Sequence, residues 1–324
     1  MPETNADDNE PNGGIPSMTG SRRIAWAAMP TKVKASIEEL LGSTVVNAVS
    51  QPGGFSEGVA ARLHLATGQN VFLKAVNSLT APDVARFHRQ EGSITQRLPS
   101  DVPVPRLLHI YDDGTWVALL FEYINGSLPA QPWRGDELNQ VLTTVTAMAL
   151  ALTPSPISAS AAAQPRLGGW SHLAAPTQLT TLTRLSPWAA EHLNDLIRME
   201  TAAAETISGD TLLHGDLYPF NILLTAASPY VIDWPHAWVG PRHCDVLTVM
   251  STAVTSGLDP EPFVESNPLT RHLHPYEIDT YLTAHAGFLA RLAITAGPAA
   301  DPHLINMATA LGQASLRWLR RRRR

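Results

Sequence analysis

The alternation of apolar and polar positions divides the chain into two unequal parts. Val45, Val46 and Val49 are β-branched, which predicts a strand over 45–49, and Gln51-Pro52-Gly53-Gly54 predicts a turn after it. Val59, Ala61, Leu63 and Leu65 alternate with Arg62 and His64, a second strand with one buried face. Thr67-Gly68-Gln69-Asn70 turns the chain into a third strand over 71–76. A short helix is expected over 36–41 and a longer one over 83–98. Pro103 and Pro105 end the longer helix and lead to a strand at 106–111, and Asp112-Asp113-Gly114 joins it as a hairpin to a strand at 116–123. After Asn125-Gly126 the period-two signal fades into Ala/Leu-rich helical sequence, interrupted by one β-like region near 211–233. Leu138, Val141, Leu142, Val145, Met148 and Leu152 mark one face of a core helix that gives way to a loop before Pro165. A small sheet with one inserted helix followed by a helical lobe is an α+β order, not a regular βαβ alternation.

Composition narrows the class. The chain of 324 residues is 44% hydrophobic and 16% charged, enough for a large core. Residues 1–20 are rich in Asn, Asp, Glu, Gly and Pro and are expected to be a disordered lead. The lysines are Lys32, Lys34 and Lys74, and the remaining basic residues are arginines, five of them at 320–324. Without that run the formal net charge would move from −6 to −11, so the body is acidic and no nucleic-acid partner is expected. The arginine run itself is expected to be a solvated, frayed end. The single cysteine, Cys244, excludes an internal disulfide and a Cys-rich zinc site, and is expected to be a small buried residue. The apolar run at 24–29 is too short for a signal-peptide core, and no stretch suits a membrane span, so the cytoplasm is the expected location.

The chemistry concentrates in His214-Gly215-Asp216-Leu217-Tyr218-Pro219-Phe220-Asn221, followed by Val231-Ile232-Asp233-Trp234. An Asp, an Asn five residues on and a second Asp closing an apolar strand are what phosphoryl transfer requires. One carboxylate orients the acceptor hydroxyl and takes its proton, while the amide oxygen and the other carboxylate hold Mg²⁺ against nucleotide phosphates.

On these motifs the chain resembles the aminoglycoside phosphotransferase and choline kinase-like family over about residues 40–255. The resemblance implies a bilobal protein kinase-like fold, with a small antiparallel-sheet nucleotide lobe over 21–124 and a larger, mainly helical lobe over 125–324. It implies ATP, with GTP as the alternative, and Mg²⁺. By position, Asp216 matches the family's catalytic Asp, Asn221 and Asp233 its metal ligands, and Asp245 an Asp that braces the loop. His214 is expected to lock that loop through a hydrogen bond. Asp233-Trp234-Pro235 replaces the Asp-Phe-Gly of protein kinases, which favours the small-molecule branch.

The small lobe supplies matching parts. Gly53, Gly54 and Ser56 lie in a turn whose backbone N–H groups suit phosphate oxygens. Lys74 interrupts an apolar strand on the face of Phe72 and Val76 and needs a counter-charge there. Glu91, in the following helix, is its expected partner, with the nucleotide phosphates. Backbone groups of Glu122, Tyr123 and Ile124 resemble the family's purine-binding hinge.

The expected reaction transfers a γ-phosphate to a hydroxyl of an antibiotic or metabolite, in the manner of an aminoglycoside phosphotransferase. Tyr218, Trp234, His236 and Trp238 are candidate acceptor contacts. A polycationic drug would call for a strongly acidic site, and the arginine run counts against it. A sugar, a nucleoside-type compound or an amino alcohol is the alternative acceptor. Two other classes are weighed: a non-catalytic nucleotide-binding regulator, and a serine hydrolase using Ser56 in Gly54-Phe55-Ser56-Glu57-Gly58. The regulator would typically lack Lys74, Asp216 or Asp233. The hydrolase elbow requires a helix after the serine, where a strand is expected. A monomer or homodimer fits either way.

Overall fold

The computed structural model describes residue 15 and residues 23–51, 57–297 and 300–324, with backbone alone at 204–206. Gly53, Gly54 and Ser56 therefore lie outside the described residues, as does nearly all of the expected lead. Ile15 is described, and it is buried against Tyr218, Leu289 and Leu311, so this part of the lead is anchored.

Five antiparallel strands form the first sheet: β1 (Val45–Ser50), β2 (Val59–Leu65), β3 (Asn70–Asn77), β4 (Leu107–Asp112) and β5 (Trp116–Glu122), in the order β1-β2-β3-β5-β4. Alternation sets its two faces. Val71, Leu73 and Ala75 of β3 join Leu63 and Leu120 in a core against α1 (Thr31–Leu41). Helix α1 starts five residues before the expected 36, because Val33 and Ile37 already bury one helical face after Pro30. The other face of β3 carries Lys74 and Val76, and α2 (Pro82–Thr95) packs beside it through Ala85 and the buried Glu91. Strand β2 directly follows the segment holding Ser56, so the helix that a hydrolase elbow demands is not there.

Beyond β5 the link is pinned to the second part: Ser127 N–H donates to Leu224 O at 3.0 Å and Leu224 N–H to Ser127 O at 2.7 Å. A Cβ on Gly126 would lie 2.8 Å from Leu224 O, so only glycine permits this approach.

The second part is mainly helical: α3 (Gly135–Ala151), α4 (Trp170–Leu173), α5 (Pro176–Leu185), α6 (Pro187–Glu191), α7 (Leu193–Thr206), α8 (Cys244–Ala253), α9 (Glu261–Ser266), α10 (Pro275–Thr295) and α11 (Pro302–Arg322). The anticipated face of α3 is buried at all six positions, from Leu138 to Leu152. The β-like interruption resolves into two short ribbons, β6 (Thr211–Leu213) with β9 (Trp238–Gly240), and β7 (Ile222–Leu224) with β8 (Pro229–Val231). Among the described residues no helix is long and apolar enough to cross a membrane.

The chain end corrects the expectation of a frayed arginine run. Helix α11 continues to Arg322, whose Nε lies 2.6 Å from Asp279 of α10 and whose Nη1 lies 2.7 Å from both carboxylate oxygens of Glu261 in α9. Trp318 Nε1–H donates to the same Glu261 at 2.6 Å. Arg322→Ala is expected to cost about 1–3 kcal/mol, since it strips charged hydrogen bonds from two carboxylates. The exposed Arg321→Ala should stay within about 0.5 kcal/mol. Urea denaturation of the two variants checks this, and equal losses would contradict it.

Candidate active site

The site is built around one ammonium between two carboxylates. Lys74 Nζ lies 2.7 and 2.9 Å from the Glu91 oxygens and 2.6 Å from Asp233 Oδ1. Glu91 comes from α2 of the small lobe, and Asp233 from the loop after β8. Burial penalises the Lys74 charge, but the two carboxylates outweigh it and the ammonium is held above its ordinary value. Burial likewise works against the Asp233 carboxylate, yet Lys74 draws it down to about 2. Burial prevails at Glu91 and raises it.

Asp233 adopts φ 70°, left-handed backbone that costs energy for a residue other than glycine. Its neighbours hold it there: Ile232 N–H donates to Asn221 O at 3.0 Å, and His214 Nε2–H donates to Ile232 O at 2.9 Å. Trp234 N–H points to Glu91 Oε1 at 3.4 Å.

The loop after β6 places Asp216. Its N–H donates to His214 Nδ1 at 3.2 Å, so one histidine fastens both the Asp216 and the Asp233 loops. The buried Asp245 accepts from His214 N–H at 2.6 Å and from Gly215 N–H at 3.1 Å. A Cβ on Gly215, at φ +75°, would fall 2.5 Å from His236 O and 2.7 Å from Trp238 Cδ1. Asn221, in a single 3₁₀ turn, donates Nδ2–H to Asp216 O at 2.8 Å and to Asp216 Oδ2 at 3.2 Å. With its nitrogen so committed, Asn221 Oδ1 is the amide atom that would serve a cation. Among the described residues no three His, Cys, Asp or Glu side chains gather as a metal cage. A divalent ion here would therefore take ligands from Asp233, Asn221, phosphates and water, as Mg²⁺ prefers.

Several candidate contacts sit elsewhere than expected. Trp234 is fully buried, with its indole Nε1–H on Val231 O at 3.1 Å and its ring at the edge of His214, so it packs instead of meeting an acceptor. Tyr218 is buried with its hydroxyl 2.9 Å from His285 Nε2, and Trp238 is buried against Gly215. Both belong to the floor below the loop. His236 meets the Phe87 ring of α2 edge-on at 4.9 Å, and burial lowers it to about 4. At the hinge, Glu122 N–H donates to Arg106 O, and Ile124 O accepts from Gly126 N–H. Those two groups already have protein partners.

Sequence reasoning missed Arg166. Its Nη1 lies 2.8 Å from Asp216 Oδ1, and its guanidinium stacks 4.8 Å from the centre of the Phe288 ring. A signal was present: Arg166 ends the longest uncharged stretch of the chain and is followed by Leu167-Gly168-Gly169. Arg23 was missed as well; burial lowers it, and the Asp233 charge acts against that.

A five-stranded antiparallel sheet over a helical lobe, with a Lys–Glu pair facing Asp216, Asn221 and Asp233, defines a protein kinase-like enzyme. The model of the phosphotransferase enzyme family, APH, matches residues 53–266, about two thirds of the chain, and the chain belongs to this family. It is a phosphotransferase. Among solved structures, a thermostable mutant of aminoglycoside phosphotransferase APH(4)-Ia, in ternary complex with ADP and hygromycin B, is similar at 15% identity. Its TM-score is 0.58, covering 89% of this chain and 99% of that one. The aminoglycoside 2'-phosphotransferase-IIIa in its GDP complex is similar at 13% identity and TM-score 0.54, covering 89% and 99%. Amicoumacin kinase hAmiN, in complex with AMP-PNP, Ca²⁺ and Ami, follows at 10% identity and TM-score 0.52, covering 88% and 96%. At such identities the likeness is one of fold. No curated protein sequence matches the chain.

Proposed function

We propose that the chain transfers the terminal phosphoryl group of ATP to a hydroxyl of a small molecule, with Asp216 as the catalytic carboxylate. The observation that carries this reading is Lys74 held between Glu91 and Asp233, one from each lobe. Lys74 would leave part of its contact with Asp233 and meet the α- and β-phosphates, while Glu91 keeps its position. Asn221 and Asp233 would hold Mg²⁺, which supplies charge neutralisation on the phosphates when bound. The turn with Gly53, Gly54 and Ser56 would receive the phosphates, and the base would meet the backbone of Glu122, Tyr123 and Ile124 at groups other than the paired Glu122 N–H and Ile124 carbonyl.

Asp216 accepts the acceptor's hydroxyl hydrogen bond and takes its proton. The oxygen forms a bond to the γ-phosphorus as the bond to the β-bridging oxygen breaks, and ADP leaves. Positioning and charge neutralisation carry most of the barrier lowering in this chemistry.

Nucleotide binding tests the first half. Calorimetry with Mg-ATP should give saturable binding to the wild type. Lys74→Met should weaken it at least about tenfold, because a desolvated ammonium contact to phosphate is lost. Undiminished binding by Lys74→Met would overturn the assignment of the phosphate site.

A further inference from the structure

The carboxylate that this reaction needs is already engaged. Arg166 Nη1 occupies Asp216 Oδ1, and the Asn221 amide approaches Oδ2. The Arg166 side chain is only 27% exposed. A second guanidinium, Arg291, lies 5.9 Å from the same Phe288 ring. Beneath Arg166 is a cavity lined by Tyr218, Trp238, Tyr281, His285 and Phe288, with room for about one water and no carboxylate in its wall.

Several acidic side chains of the surrounding helices are committed elsewhere. Glu200 Oε2 accepts from Gly169 N–H at 2.6 Å and Trp170 N–H at 2.9 Å, in the strand of chain that follows Arg166. Glu261 and Asp279 hold Arg322. Glu277 closes the start of α10 by accepting from His274 N–H. Among the described residues, an incoming hydroxyl compound thus approaches Asp216 past a cation, and the acidic groups named above are given to other tasks.

The three charge classes of acceptor differ in what they leave behind. An ammonium compound competes with Arg166 for Asp216 and leaves a largely desolvated guanidinium without a counter-ion. A neutral compound leaves Arg166 on Asp216, where it withholds Oδ1 from the hydroxyl. A compound with an acidic group near its hydroxyl offers Arg166 a new two-oxygen partner, matched to the guanidinium fork. Oδ1 is then released to accept the hydroxyl proton, and the charge count is kept.

We infer that the acceptor is an acidic hydroxyl compound, its carboxylate or phosphate group read by Arg166. The hydrogen-bond lengths involved set hydroxyl and acidic group on the order of 5 Å apart. This deepens the phosphotransferase reading and rests on it. Arg166 is then the specificity-determining residue, exchanging Asp216 for the acceptor's anion as the substrate seats.

Two matched series test it. The first is glycerate, glycerol phosphate, glycerol and 3-amino-1,2-propanediol; the second is glucuronate, glucose 6-phosphate, glucose and glucosamine. Each is offered to the full chain with Mg-ATP, with product read by mass spectrometry, and to the Mg-AMP-PNP-loaded protein, with binding read as a shift in Tm. An acidic member should lead its series by at least about tenfold in kcat/KM and give the largest Tm shift; the carboxylate and phosphate arms show which anion is read. Arg166→Gln should raise KM for that member at least about tenfold without raising KM for its neutral counterpart, and Arg166→Lys should keep part of the preference. The inference is overturned if an amino member leads, if Arg166→Gln keeps the acid preference, or if no acidic member is phosphorylated or shifts Tm. Failure of the wild type to bind Mg-AMP-PNP would instead overturn the phosphotransferase assignment on which it rests.

Discussion

Asp216→Asn is expected to lower kcat by about 10²–10⁴-fold, the usual contribution of a positioned acid–base group. The substitution keeps the shape of the side chain and one acceptor oxygen, so Asn221 and the loop retain their arrangement. What it removes is the charge and the proton-accepting capacity beside the reacting hydroxyl. Stability should fall by about 1–3 kcal/mol, because the largely buried Arg166 loses its charged partner while keeping an amide oxygen to donate to. Binding of Mg-ATP should also persist, since Lys74, Glu91 and Asp233 are untouched. The measurement is steady-state kinetics beside a thermal melt and a nucleotide titration. Activity within a factor of two of wild type, in a folded protein, would remove Asp216 from the mechanism.

What made this site legible in the sequence was local conflict and short spacing. Lys74 stands out because a charge on an apolar strand has to be answered by something, and the period of two fixes which face it takes. Asp216, Asn221 and Asp233 flank one short hairpin, β7–β8, so their spacing already encodes their proximity. The buried face of α3 was readable for the same reason, as a periodic pattern within one element. Arg166 was not readable in this way, for it meets Asp216 across fifty residues from a loop that has no period. Arg322 failed on the same ground. A run of arginines looks solvated until Glu261 and Asp279, from two other helices, are brought against one member of it. Tyr218 shows the opposite error. Its position beside the motif suggested contact with an acceptor, but the side chain turns inward to His285 because Pro219 and the 3₁₀ turn bend the chain there.

The buried histidines give the second large effect, a loss of stability on the acid side. Burial holds His88 at about 3 and His243 and His285 at about 4, against about 6.5 in an unfolded chain. Above pH 6.5 these rings are neutral in both states and stability is unaffected by them. Below it the unfolded chain takes up protons that the native fold refuses, and stability falls until the pH nears 4. Each ring contributes a slope of up to about 1.4 kcal/mol per pH unit in that window. Glu91 and Asp245, raised by burial, act in the opposite sense, because the native state holds their protons at a pH where the unfolded chain has released them. They offset part of the slope but are outnumbered. With typical stabilities of about 5–15 kcal/mol, the urea midpoint should fall steeply between pH 6.5 and 5, and the fold should be lost near pH 4.5. His285→Gln should show a shallower slope by up to one proton, even if it is less stable at pH 7.5. A midpoint that stays level from pH 7.5 to 5 would contradict the assignment. His285 joins the Tyr218 hydroxyl and Ser315 under the Asp216 loop. The native fold refuses this proton until it opens, so phosphotransfer should be lost in step with the helix seen by circular dichroism.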